Sequence, residues 1–139
     1  MAILHLIHGF VGAGKTTFSR TLEAEISAIR FTLDEWIIKL YGHNPPEDKF
    51  TEYSERVSSL IWQLTRRFLN LGQDVILDFG FWTRASRDLA REFARSVNAE
   101  VKLYSICCSD LSTNHLYQVC FLLNIELYYA ILNNKKHPS

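Results

Sequence analysis

The stretch HLIHGFVGAGKTTFSR, residues 5–20, decides the fold of this chain. Within it Gly9, Gly14, Lys15 and Thr16 fit the pattern GxxxxGK followed by Ser or Thr, which is typical of a phosphate-binding loop. The glycines let backbone N–H groups surround a polyphosphate, and the positive end of the following helix adds to the attraction. The simpler alternative is a glycine-rich turn with a solvated lysine.

The elements that this pattern requires on each side of the loop are both predicted from hydrophobic spacing. The apolar run at residues 2–8 predicts a buried parallel strand, and the spacing of Phe18, Leu22 and Ile26 predicts a helix that starts at Lys15. We therefore expect a nucleoside triphosphate to bind, with the lysine at its β- and γ-phosphates. The predicted nucleotide-binding residues are Gly9, Gly12, Ala13, Gly14, Lys15, Thr16 and Thr17.

Predicted strands and helices alternate along the rest of the first 108 residues. Such alternation predicts an α/β fold, in which a parallel sheet carries helices on its faces. Thr32 and Glu35 also fit a capping box at the start of a short helix. Further strands are predicted at residues 28–32, 74–80 and 101–108, and further helices at 35–41, 50–71 and 84–97, with a loop at 42–49.

A magnesium site is predicted from one acid and one hydroxyl. Asp78 ends the third predicted strand, where a second ligand is expected beside the hydroxyl of Thr16. We expect these two residues to hold Mg²⁺ together. The alternative for Asp78 is a cap on a turn or on the next helix.

Asp34 is the candidate general base. It follows the second predicted strand, on the sheet edge where the phosphate loop also lies, so its carboxylate could contact an acceptor hydroxyl beside the γ-phosphate. An acid in the first turn of a helix also favours the helix dipole, and that structural role is the alternative.

Four arginines recur on one face of the helix predicted after the third strand. Only Arg84 and Arg87 lie in its first turn, near Asp78, so these two are candidate catalytic residues that contact the phosphates or the acceptor. Arg91 and Arg95 are expected to be structural. The alternative for all four is a solvated face paired with nearby acids.

Three aromatic residues, Phe79, Phe81 and Trp82, precede this helix. Aromatic side chains in such a position either fill the core or stack on a ligand. We expect them to belong to the core, and for Trp82 stacking on a ligand stays the alternative.

The composition changes after residue 108. Residues 109–139 carry four charged side chains and no arginine. The apolar run at 115–132 is interrupted by Gln118, Asn124 and Glu126, which disfavours a membrane span and favours a buried or partner-covered helix. We expect residues 1–108 to form the nucleotide-binding domain and 109–139 to be a divergent tail of the same domain, covered by a second copy of the chain.

Charge and cysteine content limit the other partners. The 15 basic and 15 acidic side chains balance, so no basic excess indicates nucleic acid or an anionic membrane, although a nucleic-acid end stays possible. The three cysteines show neither a disulfide framework nor metal-ligand spacing. The opening residues lack the features of a signal peptide, and a cytoplasmic location is expected.

The segments HGFVGAGKTTFSR, FTLDEW, LYG and DVILDFGFWTRASRD resemble the small P-loop kinases grouped with zeta toxins, chloramphenicol phosphotransferase and polynucleotide kinase, over about residues 3–108. The resemblance implies a three-layer α/β/α P-loop NTPase fold, with ATP and Mg²⁺ as cofactors. It also implies Asp34 as the base acting on the acceptor hydroxyl, and supports the roles of Lys15, Thr16 and Asp78. Arg84 and Arg87 occupy positions comparable to acceptor-contacting arginines in several relatives.

The chain departs from these kinases after residue 108, where they continue into a lid helix that carries arginines. We expect this ending to be a shifted reading frame or a truncated version of a related sequence, with an atypical or missing lid. Two functions follow. The first is a kinase that moves the γ-phosphoryl group of ATP to a hydroxyl of a small molecule or a nucleic-acid end. The second is a nucleotide-binding module, or a degenerate kinase, with little or no turnover.

Overall fold

The structure is a computed structural model that describes residues 1–9, 15–80, 83–108 and 117–121. Of Gly9, Lys15, Gly80 and residues 106–108 and 117–121 only the backbone is described. The strands are β1 (Ile3–Gly9), β2 (Ile29–Thr32), β3 (Val75–Gly80), β4 (Glu100–Cys108) and β5 (Tyr117–Phe121). The helices are α1 (Lys15–Ile26), α2 (Leu33–Tyr41), α3 (Phe50–Asn70) and α4 (Arg84–Ser96), with a 3₁₀ turn at Glu47–Lys49 before α3.

The strands form one sheet in the order β2-β3-β1-β4-β5. The first four of these are parallel, so their carboxyl ends meet at one edge. β1 is flanked on both sides, and Gly9 at its end is followed by the predicted phosphate loop. The register pairs Thr32 at the end of β2 with Asp78 in β3, which brings two polar side chains to this edge.

Alternation along the strands divides the core between the two faces of the sheet. The first face carries Leu4, Leu6, Leu77 and Leu103, and it packs against α3 and α4. The second face packs against α1 and includes Ile7 and Ile76 together with Phe18, Leu22, Ala28 and Tyr104. Helices therefore cover both faces of the sheet, and the predicted three-layer α/β/α fold with a parallel sheet is confirmed.

The predicted tail helix is wrong for residues 117–121, which form β5 and pair antiparallel with β4. A short apolar run without clear periodicity does not distinguish a helix from a strand. Here Tyr117, Val119 and Phe121 are strand-forming types, and the backbone of β4 offers unpaired hydrogen-bonding groups at the edge of the sheet. The other tail residues, 109–116 and 122–139, lie outside the described part of the chain.

The predicted capping box is also wrong. Thr32 is the residue before α2, but its side chain makes no capping hydrogen bond. Its hydroxyl is buried and donates to Asp78, while the Glu35 carboxylate accepts from Arg20 and Arg30. Contacts of Thr32 with β3, and of Glu35 with α1 and β2, therefore replace the predicted capping bonds.

Within the part of the chain that the structure describes, no helix combines the length and the apolar character needed to cross a lipid bilayer.

Candidate functional site

Three hydroxyl groups surround one carboxylate oxygen at the carboxyl edge of the sheet. Oδ2 of Asp78 lies 3.3 Å from Oγ1 of Thr16, 3.2 Å from Oγ of Ser19 and 3.2 Å from Oγ1 of Thr32. Asp78 is 1% exposed, so its carboxylate depends on these hydroxyls for part of the solvation that water would give. We call Asp78, Thr16, Ser19 and Thr32 the hydroxyl cluster.

The position of each member follows from the chain's local structure. Thr32 faces Asp78 because the two are register partners in adjacent strands. Thr16 is the second residue of α1, which starts where the loop after β1 ends. Ser19 lies three residues later on the same side of α1, and its hydroxyl is also 2.9 Å from the Thr16 carbonyl oxygen.

The cluster has the chemistry of a magnesium site completed by a substrate. Mg²⁺ prefers oxygen ligands and is usually held by one or two carboxylates, waters and substrate phosphates. Among the described residues, no group of three or more His, Cys, Asp or Glu side chains could hold a metal ion. The structure brings the two predicted metal ligands, Thr16 and Asp78, together; their metal role stays a prediction.

Arg30 extends the cluster on the α2 side, and sequence reasoning missed it. Its Nη1 donates to the Thr32 hydroxyl and, at 3.2 Å, to Oε2 of Glu35. The Arg30 side chain is only 14% exposed, and its Nε makes no hydrogen bond within the described residues, with Oε1 of Glu23 at 3.6 Å. Residues two apart in a strand lie on the same face, so Arg30 shares a face of β2 with Thr32. That spacing is the sequence feature from which its place in the site could have been predicted.

Asp34 lies in the first turn of α2, and its side chain is exposed. No hydrogen bond or ion pair of Asp34 occurs among the described residues. The two residues that precede it each belong to a candidate site, since Thr32 joins the hydroxyl cluster and Leu33 lines the cavity described below. Its role as a general base stays a prediction.

The structure describes some of the other predicted site residues and not others. Thr17 is exposed, and its carbonyl oxygen accepts from the Thr21 hydroxyl. Arg84 is 88% exposed, and its Nε lies 3.9 Å from Oδ2 of Asp88, whereas Arg87 is half-buried. Gly12, Ala13 and Gly14, the Lys15 side chain, Phe81 and Trp82 lie outside the described residues.

A cavity of about 510 Å³ lies on the first face of the sheet, opposite the face on which Asp78 contacts α1. Leu33, Trp62, Phe79, Leu89 and Phe93 supply its apolar wall. The hydroxyl-bearing residues Ser58, Thr83 and Ser86 supply the polar part. Phe79 packs against the core, as predicted, and also lines the cavity.

A second buried polar group lies away from the cluster. His5 is 2% exposed; its Nδ1 is 2.8 Å from the Tyr104 hydroxyl and its Nε2 is 3.4 Å from Oδ2 of Asp74. A carboxylate only accepts hydrogen bonds, so neutral His5 donates from Nε2 and accepts the Tyr104 proton at Nδ1. Burial lowers the pKa of His5 below its usual 6.5, although Asp74 acts in the opposite direction.

Comparison with known proteins matches the chain to one family. A family model described as an AAA domain matches residues 4–114. No match was found among curated proteins.

Several solved structures share the fold. A candidate kinase of Chloroflexus aurantiacus J-10-fl is 16% identical with a TM-score of 0.65, covering 76% of this chain and 59% of that one. A chain of the Pnkp1/Rnl/Hen1 complex is 19% identical with a TM-score of 0.64, covering 75% and 35%. The Mycobacterium tuberculosis APS kinase CysC, in complex with AMPPNP and APS, is 16% identical with a TM-score of 0.53, covering 75% and 61%.

These matches show a P-loop kinase-like fold and no more, because the sequence identities are low. The chain spans about three fifths of the Chloroflexus protein and about a third of the Pnkp1/Rnl/Hen1 chain. The narrower resemblance to zeta toxins and chloramphenicol phosphotransferase stays a prediction.

Proposed function

We propose, on the premise that this chain belongs to the AAA domain family, that it is an ATP- and Mg²⁺-dependent phosphotransferase acting on a hydroxyl of a small molecule. The observation that carries the proposal is the contact between the buried Asp78 carboxylate and the Thr16 hydroxyl, at the start of the helix that follows the GxxxxGKT loop. This arrangement is what a triphosphate with a bound divalent cation requires of a P-loop protein.

Thr16 and Asp78 are the residues that would hold Mg²⁺, which when bound neutralises developing charge on the β- and γ-phosphates. Thr32 fixes the Asp78 carboxylate by a hydrogen bond to Oδ2, and the Ser19 hydroxyl, 3.2 Å from the same oxygen, shares its one proton between that oxygen and the Thr16 carbonyl oxygen. Because the Asp78 carboxylate is held in one orientation, this side chain loses little conformational entropy when the metal ion and the triphosphate bind. The loop residues 9–14 and Lys15 would bind the phosphates through backbone N–H groups and one ammonium group.

In the proposed reaction, the acceptor oxygen forms a bond to the γ-phosphorus, and the bond from that phosphorus to the β–γ bridging oxygen breaks. ADP leaves with the electron pair of the broken bond. The proton of the acceptor hydroxyl passes to the Asp34 carboxylate, which is exposed at the carboxyl edge and has no partner among the described residues. Arg84 and Arg87 are proposed to contact the acceptor or the transferred group.

A second candidate is a nucleotide-binding module with little turnover. The observation in its favour is that Arg84, a candidate cation for the transferred group, is 88% exposed with its Nε beside Asp88. Cations around the transferred group can contribute roughly 10³- to 10⁵-fold in rate, so their loss leaves binding with slow transfer.

The test is incubation of the intact chain with Mg²⁺-ATP and a panel of hydroxyl compounds, followed by ³¹P NMR. A new phosphomonoester resonance together with equimolar ADP supports the phosphotransferase. Nucleotide binding by calorimetry without any phosphomonoester supports the binding module. A chain that binds no Mg²⁺-nucleotide excludes both.

A further inference from the structure

We propose that the 510 Å³ cavity is the acceptor site and that it selects a compact, uncharged alcohol with an aromatic or similarly flat apolar ring. The inference rests on the proposed function, which leaves the acceptor open. It is carried by the position of the cavity, by the chemistry of its wall and by the state of its hydroxyl groups.

The position follows from strand alternation. Thr32 and Asp78 are register partners that point toward α1, and the next residues, Leu33 and Phe79, belong to the opposite face, where they line the cavity. In each of these two segments, a residue of the hydroxyl cluster is followed directly by a residue that lines the cavity. Asp34 directly follows Leu33, so the candidate base is the next residue along the chain after one that lines the cavity.

The chemistry of the wall disfavours a charged acceptor. None of the described residues that line the cavity is charged, and most of the wall is apolar or aromatic. A phosphate, sulfate or carboxylate placed there would lose hydration without gaining an ionic partner among these lining residues; Arg84 and Arg87, which are not among them, would then contact the transferred phosphoryl group. The volume lies within the range of small-molecule sites and suits one or two rings rather than a polymer.

The aromatic side chains form a fixed group. The Trp62 ring packs edge to face on Phe79, with centroids 6.1 Å apart, and on Phe93, with centroids 4.7 Å apart. The Arg66 guanidinium lies 4.8 Å from the Phe93 centroid and holds that ring from another side. All three rings are only partly buried, so they keep surface on which a flat apolar group can pack.

The hydroxyl groups can orient an alcohol. Oγ1 of Thr83 accepts from the Ser86 backbone N–H at 3.1 Å, so within the described contacts its own proton is left to donate. The Ser86 hydroxyl donates to the Thr83 carbonyl oxygen at 2.8 Å, so its oxygen is left to accept. One donor and one acceptor on the same turn match the two hydrogen-bonding capacities of an alcohol.

The test compares three probes by saturation-transfer NMR on the intact chain without nucleotide. 2-Phenylethanol has the proposed features, 3-phenylpropanoate keeps the ring but carries a charge, and glycerol keeps hydroxyls but has no ring. Transfer to the ring protons of 2-phenylethanol is expected, with little or none to the other two. Equal transfer to 3-phenylpropanoate overturns the inference.

A matched pair of variants locates the binding. Ser58 lines the cavity and Ser59, the next residue of α3, is exposed. Ser58→Phe fills the cavity and is expected to weaken 2-phenylethanol binding at least about tenfold, whereas Ser59→Phe leaves it within about twofold. Equal binding by the two variants overturns the proposed location.

A third variant covers the case in which Ser58→Phe does not fold. Leu89 lines the cavity and is 66% exposed, so Leu89→Lys adds a cation at the rim without disturbing the core. It is expected to improve the binding of 3-phenylpropanoate about tenfold relative to 2-phenylethanol. An unchanged ratio overturns the inference.

Nucleotide binding, measured on the same samples, separates the two proposals. A chain that binds Mg²⁺-ATP and no 2-phenylethanol refutes the acceptor inference and leaves the proposed function standing. A chain that binds 2-phenylethanol and no nucleotide refutes the proposed function.

Discussion

The Thr32 hydroxyl donates to Oδ2 of Asp78 at 3.2 Å and accepts a hydrogen bond from Arg30. One side chain thereby links a mostly buried guanidinium to the buried acid of the candidate metal site. The link depends on the strand register, which pairs Thr32 with Asp78. Any change at Thr32 is expected to reach the Asp78 carboxylate.

Thr32→Val removes this link while keeping the β-branched shape. It leaves Asp78 without one donor and Arg30 without one acceptor, so we expect a loss of about 1 to 3 kcal/mol in the free energy of unfolding. No capping bond is lost, since the Thr32 side chain makes none. Urea denaturation measures the change, with Thr51→Val on the exposed start of α3 as the control. Equal stability of the two variants would show that the link contributes little.

Lys15→Ala should weaken Mg²⁺-ATP binding severely, because the ammonium group is predicted to contact the β- and γ-phosphates. Calorimetry gives the affinity. Lys49→Ala is the matched control, since Lys49 is half-exposed and pairs with Glu52 outside the site. Unchanged affinity in Lys15→Ala would remove the nucleotide-binding proposal.

Asp34→Asn should leave nucleotide affinity within a few-fold and reduce phosphoryl transfer by about 10²-fold or more, the usual size of a general-base contribution. The variant keeps the shape of the side chain but cannot take the acceptor proton. Asp48→Asn, in the exposed turn before α3, is the control for charge alone. Full transfer by Asp34→Asn would leave Asp34 only its helix-start role.

The buried His5 predicts a stability that depends on pH. Burial lowers its folded-state pKa below 6.5, so the unfolded chain binds the proton more readily. The contribution of neutral His5 to the free energy of unfolding is therefore complete above pH 6.5. It is lost as the pH falls from 6.5 toward the folded-state pKa, and the free energy of unfolding then changes by at most about 1.4 kcal/mol per pH unit.

Urea denaturation between pH 7.5 and pH 5 measures this slope. His5→Gln, which does not titrate, is expected to have a lower free energy of unfolding at pH 7.5 and a flatter pH dependence. The same slope in both proteins would assign the pH dependence to other groups.

The tail gives the last prediction. β5 pairs with residues 104–108 of β4, so truncation after residue 108 exposes the edge of β4. We expect the truncated chain to be less stable and to associate nonspecifically through this edge. Truncation after residue 121 retains β5 and is the control. If the expected dimer forms through the part of the tail beyond β5, light scattering will show a dimer for the full chain and a monomer for the control; identical masses exclude a dimer through that part.

The helices and parallel strands could be predicted from the sequence because each depends on local spacing. The amphipathic pattern predicted a helix at 50–71, and α3 is Phe50–Asn70. Gly72, at φ +80°, follows it in the left-handed conformation that glycine adopts freely. The phosphate-loop pattern predicted a strand, a loop and a helix in that order. The alternation of strands and helices along the chain then predicted a parallel sheet.

The contacts between elements were decided only by the tertiary structure. Thr32 fits a local capping box equally well, but the register of β2 against β3 gives its hydroxyl to Asp78 instead. Arg30 is not part of any sequence motif, and its side chain reaches the site only because it lies on the same face of β2 as Thr32. The pairing of β5 and the cavity likewise depend on residues far apart in the chain. Sequence spacing specifies which face a side chain occupies within its own element, whereas packing between elements determines which atoms that face meets.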